Sequence, residues 1–168
     1  MMEHIMLIGF MGSGKSAVGR ELSRLLKRPL VDTDEEIVKA HGTITDLFAK
    51  HGEAYFRKLE TETLKTLLDS KKPLVISAGG GLPVQEANQP YLRQLGTVVY
   101  LTASEDTLVK RLSGDKSRPL LQGGDLRTRI RDLMAQRGAL YARAADVQVS
   151  TDGRSVKEIA GEISRLAK

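Results

Sequence analysis

The chain has 168 residues, 40% of them hydrophobic, which suits one globular domain with a buried core and requires no second one. Its formal charge of +5 comes with only four tyrosines, three phenylalanines and no basic run alternating with them, which argues against nucleic-acid binding by stacking. No apolar run approaches the ~20 residues of a membrane span, and with no cysteine there is no disulfide, thiolate metal site or cysteine nucleophile. A cytoplasmic protein is expected, since the N-terminus runs straight into a strand rather than a signal peptide. The excess of cations suits either small polyanionic ligands or an ordinary soluble surface.

The first predicted strand, Ile5-Met6-Leu7-Ile8, leads into Gly9-Phe10-Met11-Gly12-Ser13-Gly14-Lys15-Ser16. Ala17, Val18, Leu22, Leu25 and Leu26 then stripe one side of a helix. The loop fits G-x-x-x-x-G-K-[ST], in which backbone N–H groups and a helix N-terminus converge on an anion. Lys15 would reach the β- and γ-phosphates of a nucleoside triphosphate, and Ser16 would coordinate magnesium. An ordinary glycine turn is the alternative, and the motif does not say what is done with the nucleotide.

Pro29-Leu30-Val31-Asp32-Thr33-Asp34 reads as a short strand ending in acids. In an extended chain Asp32 and Asp34 point to one side, their Cα atoms about 6.5–7 Å apart. Beside the first strand they would lie at the carboxyl edge of a parallel sheet, one holding magnesium through water and the other serving a substrate hydroxyl. The same residues also read as a capping box over Thr33-Asp34-Glu35-Glu36.

A helical pattern runs from Thr43 to Asp69, broken at Gly52. Arg57 and Glu60 stand one turn apart, the spacing of a surface salt bridge. Leu74-Val75-Ile76-Ser77-Ala78 is a third strand, and the following Gly79-Gly80-Gly81 admits either a tight turn or a close-lying ligand. Val98-Val99-Tyr100-Leu101 and Val147-Gln148-Val149-Ser150 complete five strands. Ser104-Glu105-Asp106 opens one helix, and Ser155-Val156-Lys157-Glu158 is a capping box for the last.

Between Ser113 and Asp125 the chain loses apolar periodicity and carries Arg118 among glycines, so it reads as a lid over phosphates or as a flexible linker. In the next helix Leu126, Ile130, Leu133, Met134, Leu140 and Tyr141 face inward, and Arg137 falls on the same stripe. A guanidinium there needs an anion, unless it snorkels at the stripe's edge. Strands and helices alternate throughout, the pattern of a parallel sheet covered on both faces.

Taken in order, these motifs closely resemble the shikimate kinase family over nearly the whole chain. They are Gly9 to Ser16, Asp32-Thr33-Asp34, Gly52-Glu53 with Phe56-Arg57 and Glu60, the glycine triplet, Arg118-Pro119-Leu120-Leu121, and Arg137 with Tyr141. The resemblance implies ATP-dependent phosphorylation of the 3-hydroxyl of shikimate, a step of aromatic amino-acid biosynthesis. The implied fold is a three-layer α/β P-loop kinase with a five-stranded parallel sheet, like nucleoside monophosphate kinases. It spans residues 1–168, with a lid at about 113–125 and a substrate-binding helical region at about 33–60.

By the same resemblance, Asp34, Arg57, Arg137, Gly79, Gly80 and Gly81 would bind shikimate, the arginines on its carboxylate and Asp34 on its hydroxyls. Phe48 and Phe56 would line the pocket. Gly12, Ser13, Gly14, Lys15, Ser16 and Ala17 would hold ATP, Ser16 and Asp32 one Mg2+, Arg118 the transferring phosphate, and Arg154 the adenine side. Lys15, Asp34 and Arg118 are the implied catalytic residues. A monomer acting on shikimate and ATP, without nucleic acid or membrane, is expected. The family commonly has Ser or Thr before its glycine triplet, whereas Ser77-Ala78 precedes it here, so the role of Ser77 stays open. The alternatives are a kinase of gluconate or of a nucleoside monophosphate, and a non-catalytic nucleotide-binding module.

Overall fold

A computed structural model of the chain describes residues 3–113 and 125–166. Strands β1 (His4–Ile8), β2 (Leu30–Asp32), β3 (Val75–Ser77), β4 (Gly96–Thr102) and β5 (Val147–Ser150) form one sheet in the order β2-β3-β1-β4-β5. Every neighbouring pair is parallel, and the registers Asp32↔Ser77, Leu7↔Ser77 and Ile8↔Tyr100 align the carboxyl ends of four strands. Parallel neighbours need crossover connections, which is why strands and helices alternate along the chain.

Alternation along β1 divides the core. Ile5 and Leu7 pack with Val75, Val99, Leu101 and Val149 against Val18 and Leu22 of α1 (Lys15–Leu26) and Ile159 and Ile163 of α8 (Val156–Leu166). Met6 and Ile8 face the other way, with Ile76 and Val98, onto α4 (Glu53–Leu68), α5 (Gln89–Leu95), α6 (Glu105–Leu112) and α7 (Leu126–Ala144). The result is the expected three-layer α/β arrangement. Among the described residues no helix is long and apolar enough to cross a membrane.

A third, smaller core of Ile37, Leu47, Phe56 and Leu59 ties α2 (Thr33–His41) and α3 (Ile44–His51) to α4. Gly52, at φ 85, separates α3 from α4, a left-handed conformation that a side chain resists. The capping box Ser155–Glu158 forms reciprocally: Glu158 N–H donates to Ser155 Oγ at 3.1 Å, and Ser155 N–H to Glu158 Oε1 at 3.2 Å.

Three sequence expectations need correction. β2 stops at Asp32 and α2 begins at Thr33, so Asp34 lies in a helix and the extended-chain argument for the acid pair fails. The cap of α2 is Asp32, not Thr33; the buried Thr33 hydroxyl instead accepts the Gly79 N–H at 2.9 Å. Leu25 is 42% exposed, because the contact of α1 with the sheet narrows to Val18, Gly19 and Leu22.

Candidate active site

The phosphate loop follows β1 at the carboxyl edge of the sheet. Gly9, Gly12 and Gly14 all have positive φ, and a Cβ on Gly9 would lie 2.6 Å from the Leu101 carbonyl oxygen. Gly14 is the N-cap of α1 and offers no side chain, and no acid occupies the first turn, so the helix N-terminus is open to an anion. Lys15 Nζ folds over the loop, donating to the Gly9 oxygen at 2.7 Å and the Phe10 oxygen at 3.2 Å. Among the described residues, Ser13 Oγ is the buried side-chain oxygen without a hydrogen-bond partner. Burying an unpaired hydroxyl costs about 1–3 kcal/mol, which a phosphate oxygen accepting from it would relieve.

Strand pairing brings the glycine triplet beside this loop, because Leu7↔Ser77 sets Gly9 and Gly79 two residues past the same register pair. None of Gly79, Gly80 and Gly81 has φ in the left-handed range, so the backbone does not demand glycine there. Side chains do. A Cβ on Gly79 would overlap the Asp34 carboxylate, with Cγ at 2.9 Å. One on Gly80 would sit 3.1 Å from Arg137 Nη1, and one on Gly81 would overlap the Arg57 guanidinium. The triplet is thus the floor across which Asp34, Arg137 and Arg57 lie.

Arg57 is anchored from two sides. Its Nη1 donates to Glu60 Oε1 at 2.7 Å, and its Nε and Nη2 donate to Glu53 Oε2 at 3.4 and 3.2 Å. That leaves one N–H on each terminal nitrogen, the fork that matches a carboxylate. The Glu60 side chain is only 1% exposed, so the expected surface salt bridge is in fact half buried. Burial pushes the Glu60 carboxyl above its usual range, with Arg57 and Gln85 opposing. Burial also works against the Arg57 charge, but Glu60 and Glu53 together outweigh it and keep the guanidinium protonated. The Phe56 ring lies 5.5 Å from Arg57 Cζ and meets Phe48 edge-on at 5.2 Å. Phe56 is buried, whereas Phe48 is 38% exposed.

Arg137 is half buried, as its place on the stripe of α7 predicted. Tyr141, one turn on, is buried and donates from Oη to the Gly80 oxygen at 2.7 Å. Burial pushes the Tyr141 hydroxyl above its usual value, against the nearby Arg137 charge, so it serves as a donor.

Asp32 ends β2 opposite Ser77, and its Oδ1 accepts from the N–H groups of Asp34 and Glu35 at 2.9 and 3.1 Å. It therefore caps a helix and stands at the carboxyl edge of the sheet at once. Residues 114–124, which include Arg118 and most of the expected lid, lie outside the described residues. Arg154 follows β5 and pairs with Glu162 at 2.6 Å while donating to the Ser150 oxygen at 3.1 Å.

Two contributors escaped the sequence reading. Arg111, in the last turn of α6, donates to the Gly12 oxygen at 2.9 Å and to Thr151 Oγ1 at 3.4 Å, joining the phosphate loop to the loop that carries Arg154. A cation there reads as an ordinary helix-end charge, so nothing in the spacing marked it. Gln85 Nε2 donates both to Glu60 Oε1 at 2.8 Å and to the Gly81 oxygen at 3.0 Å.

Residues 11–168 match the family model described as shikimate kinase. A shikimate kinase of Persephonella marina is 43% identical over 163 residues, covering 96% of this chain and 97% of that protein. One from Pelotomaculum thermopropionicum is 40% identical, covering 99% and 96%. The structure of an Acinetobacter baumannii shikimate kinase in complex with shikimate superposes with a TM-score of 0.91 at 38% identity, covering 98% of this chain and 92% of that one. The Aquifex aeolicus shikimate kinase structure gives a TM-score of 0.83 at 40% identity, covering 96% and 94%. A family model matched over residues 11–168, together with relatives 40–43% identical over nearly the whole of both chains, places the chain in the shikimate kinase family.

Proposed function

We propose that the chain transfers the γ-phosphoryl group of ATP to the 3-hydroxyl of shikimate, a step of aromatic amino-acid biosynthesis. The observation that carries this reading is the crowding of Asp34, Arg57 and Arg137 over Gly79–Gly81, next to the phosphate loop. Arg57 and Arg137 form a cationic wall for the carboxylate of a small acid, and Asp34 brings a carboxylate to the same floor for its hydroxyls.

Phosphoryl transfer needs little covalent help, so positioning and charge neutralisation carry the catalysis. The loop from Gly12 to Ala17 would cradle the triphosphate, Lys15 leaving the loop carbonyls for phosphate oxygens, with the Ser13 hydroxyl as a further partner. Asp34 orients the attacking hydroxyl and takes its proton as the new O–P bond forms and ADP departs. Arg118 is assigned to the transferring phosphate on the family resemblance alone. Arg154 and Arg111 stand on the nucleotide side, and the assignment of Arg154 to adenine requires its pair with Glu162 to yield or to share.

The donors present suit magnesium. A serine hydroxyl and a carboxylate are hard oxygen ligands, and Mg2+ commonly takes only one or two protein ligands beside phosphates. Ser16 and the second oxygen of Asp32 would hold it, and when bound it would offset charge on the phosphates.

The test is ADP release measured with shikimate, gluconate and AMP in parallel. Turnover with shikimate alone is expected. Turnover with gluconate or AMP and not with shikimate overturns the reading.

A further inference from the structure

The segment after β3 is held by side-chain amides on three successive carbonyls. Gln85 Nε2 donates to the Gly81 oxygen at 3.0 Å, Asn88 Nδ2 to the Leu82 oxygen at 2.8 Å and Gln89 Nε2 to the Pro83 oxygen at 2.9 Å. Asn88 and Gln89 are buried, and among the described residues they hydrogen-bond to neither Glu60 nor the two arginines. Gln85 differs, because the same nitrogen also reaches Glu60 Oε1 at 2.8 Å, the oxygen that Arg57 Nη1 bonds at 2.7 Å. Gln85 therefore bonds both the wall of the Arg57 slot, Glu60, and its floor, Gly81, while making no hydrogen bond to Arg57 itself.

We propose that Gln85 is a positioning residue for substrate affinity: its amide fixes Glu60 and Gly81 relative to each other, and so sets where Arg57 presents its free N–H fork. This rests on the reading of Arg57 as the holder of the shikimate carboxylate. The physical need is plain. A buried carboxylate oxygen with one donor is poorly satisfied, and a guanidinium tied to a carboxylate that can turn is itself free to turn. A neutral amide supplies the second donor without adding charge, leaving the cation of Arg57 for the ligand. Among the described residues, the groups facing Glu60 are Arg57 on its own helix, Gln85 after β3 and Asp34 on α2.

The test is steady-state kinetics of the full chain with shikimate and ATP each varied, between pH 5.5 and 8.5, alongside the melting temperature. Gln85→Met keeps the length and removes the donor. It is expected to raise KM for shikimate roughly tenfold, the worth of one hydrogen bond to a charged group, with kcat and KM for ATP within about twofold. Gln85→Glu keeps the shape and sets a second carboxylate against Glu60. Its KM for shikimate is expected to rise more at pH 8.5 and to return toward the wild-type value at pH 5.5, where one proton shared by the two acids imitates the amide. A merely structural glutamine would lower the melting temperature and leave KM for shikimate and its pH dependence alone, and that result overturns the proposal. Arg57→Ala separates the two levels. If it leaves KM for shikimate unchanged, the site reading falls and this proposal with it. If it raises KM while both Gln85 variants, folded, leave it unchanged, the proposal alone is wrong.

Discussion

The glycine triplet offers the sharpest perturbation, because its backbone would accept alanine and its neighbours would not. In Gly79→Ala the new Cβ would stand 2.9 Å from Asp34 Cγ and 3.0 Å from Oδ2, where ordinary contact begins near 3.4 Å. The carboxylate must retreat by roughly 0.5–1 Å, and misplacement of about 1 Å costs on the order of 100-fold in rate. That is about 2.7 kcal/mol of transition-state stabilisation. Overpacking costs roughly 1–3 kcal/mol, offset by the ~0.4–1 kcal/mol that alanine gains by restricting the unfolded chain. The fold therefore loses at most about 2.5 kcal/mol, and activity falls well beyond what unfolding explains. Coupled ADP-release kinetics should show kcat reduced about 100-fold with KM for ATP unchanged. Gly81→Ala pushes on Arg57 instead, so KM for shikimate should rise while kcat changes less. A Gly79→Ala enzyme within threefold of wild type in kcat/KM would refute the placement of Asp34 on this floor.

Arg137→Ala should raise KM for shikimate much more than KM for ATP, and equal effects would make this arginine structural. Glu105 is held down to about 2 by side-chain hydrogen bonds from Arg131 and then Arg127, against an ordinary value of 4.5. A depressed carboxyl adds stability above pH 4.5 that is lost as pH falls toward about 2. The urea midpoint of Glu105→Gln should accordingly drop less than that of the wild type between pH 7 and pH 3, and an identical drop would show the pair contributes nothing. In the interior of α7, a Cβ on Gly138 would meet, among the described residues, no atom within 4 Å beyond its chain neighbours and the adjoining backbone of its own helix. Gly138→Ala should add about 0.5–1 kcal/mol and raise the melting temperature by roughly 2–4 °C per kcal/mol. A lower melting temperature would mean the space is needed.

What could be read from the residues tracks how local each signal is. The phosphate loop, the Ser155 capping box and the five strands rest on neighbours in sequence, and each stands where periodicity and capping chemistry put it, apart from the early stop of β2 at Asp32. The Arg137 stripe was legible for the same reason. Arg57 and Glu60 show the limit: their spacing tells of pairing, but not that Glu60 is buried or that its second donor is Gln85, 25 residues on. Asp32 and Asp34 were paired for a reason that fails, since a strand period was assumed where a helix begins. The triplet's purpose was undecidable locally, because Asp34, Arg57 and Arg137 reach it from three different helices. The turn Glu86–Asn88 and helix α5 carry no strong stripe and are organised by amide side chains.

The strand order has a consequence for synthesis. The first strand to be made, β1, is the central one, and its partners β3 and β4 come about 70 and 90 residues later. Until Ser77 has been translated that strand has neither partner, and until β4 follows it keeps one unclaimed edge. Nascent pieces ending earlier should stay sticky and dependent on holding factors, with assembly delayed until the middle of the chain emerges.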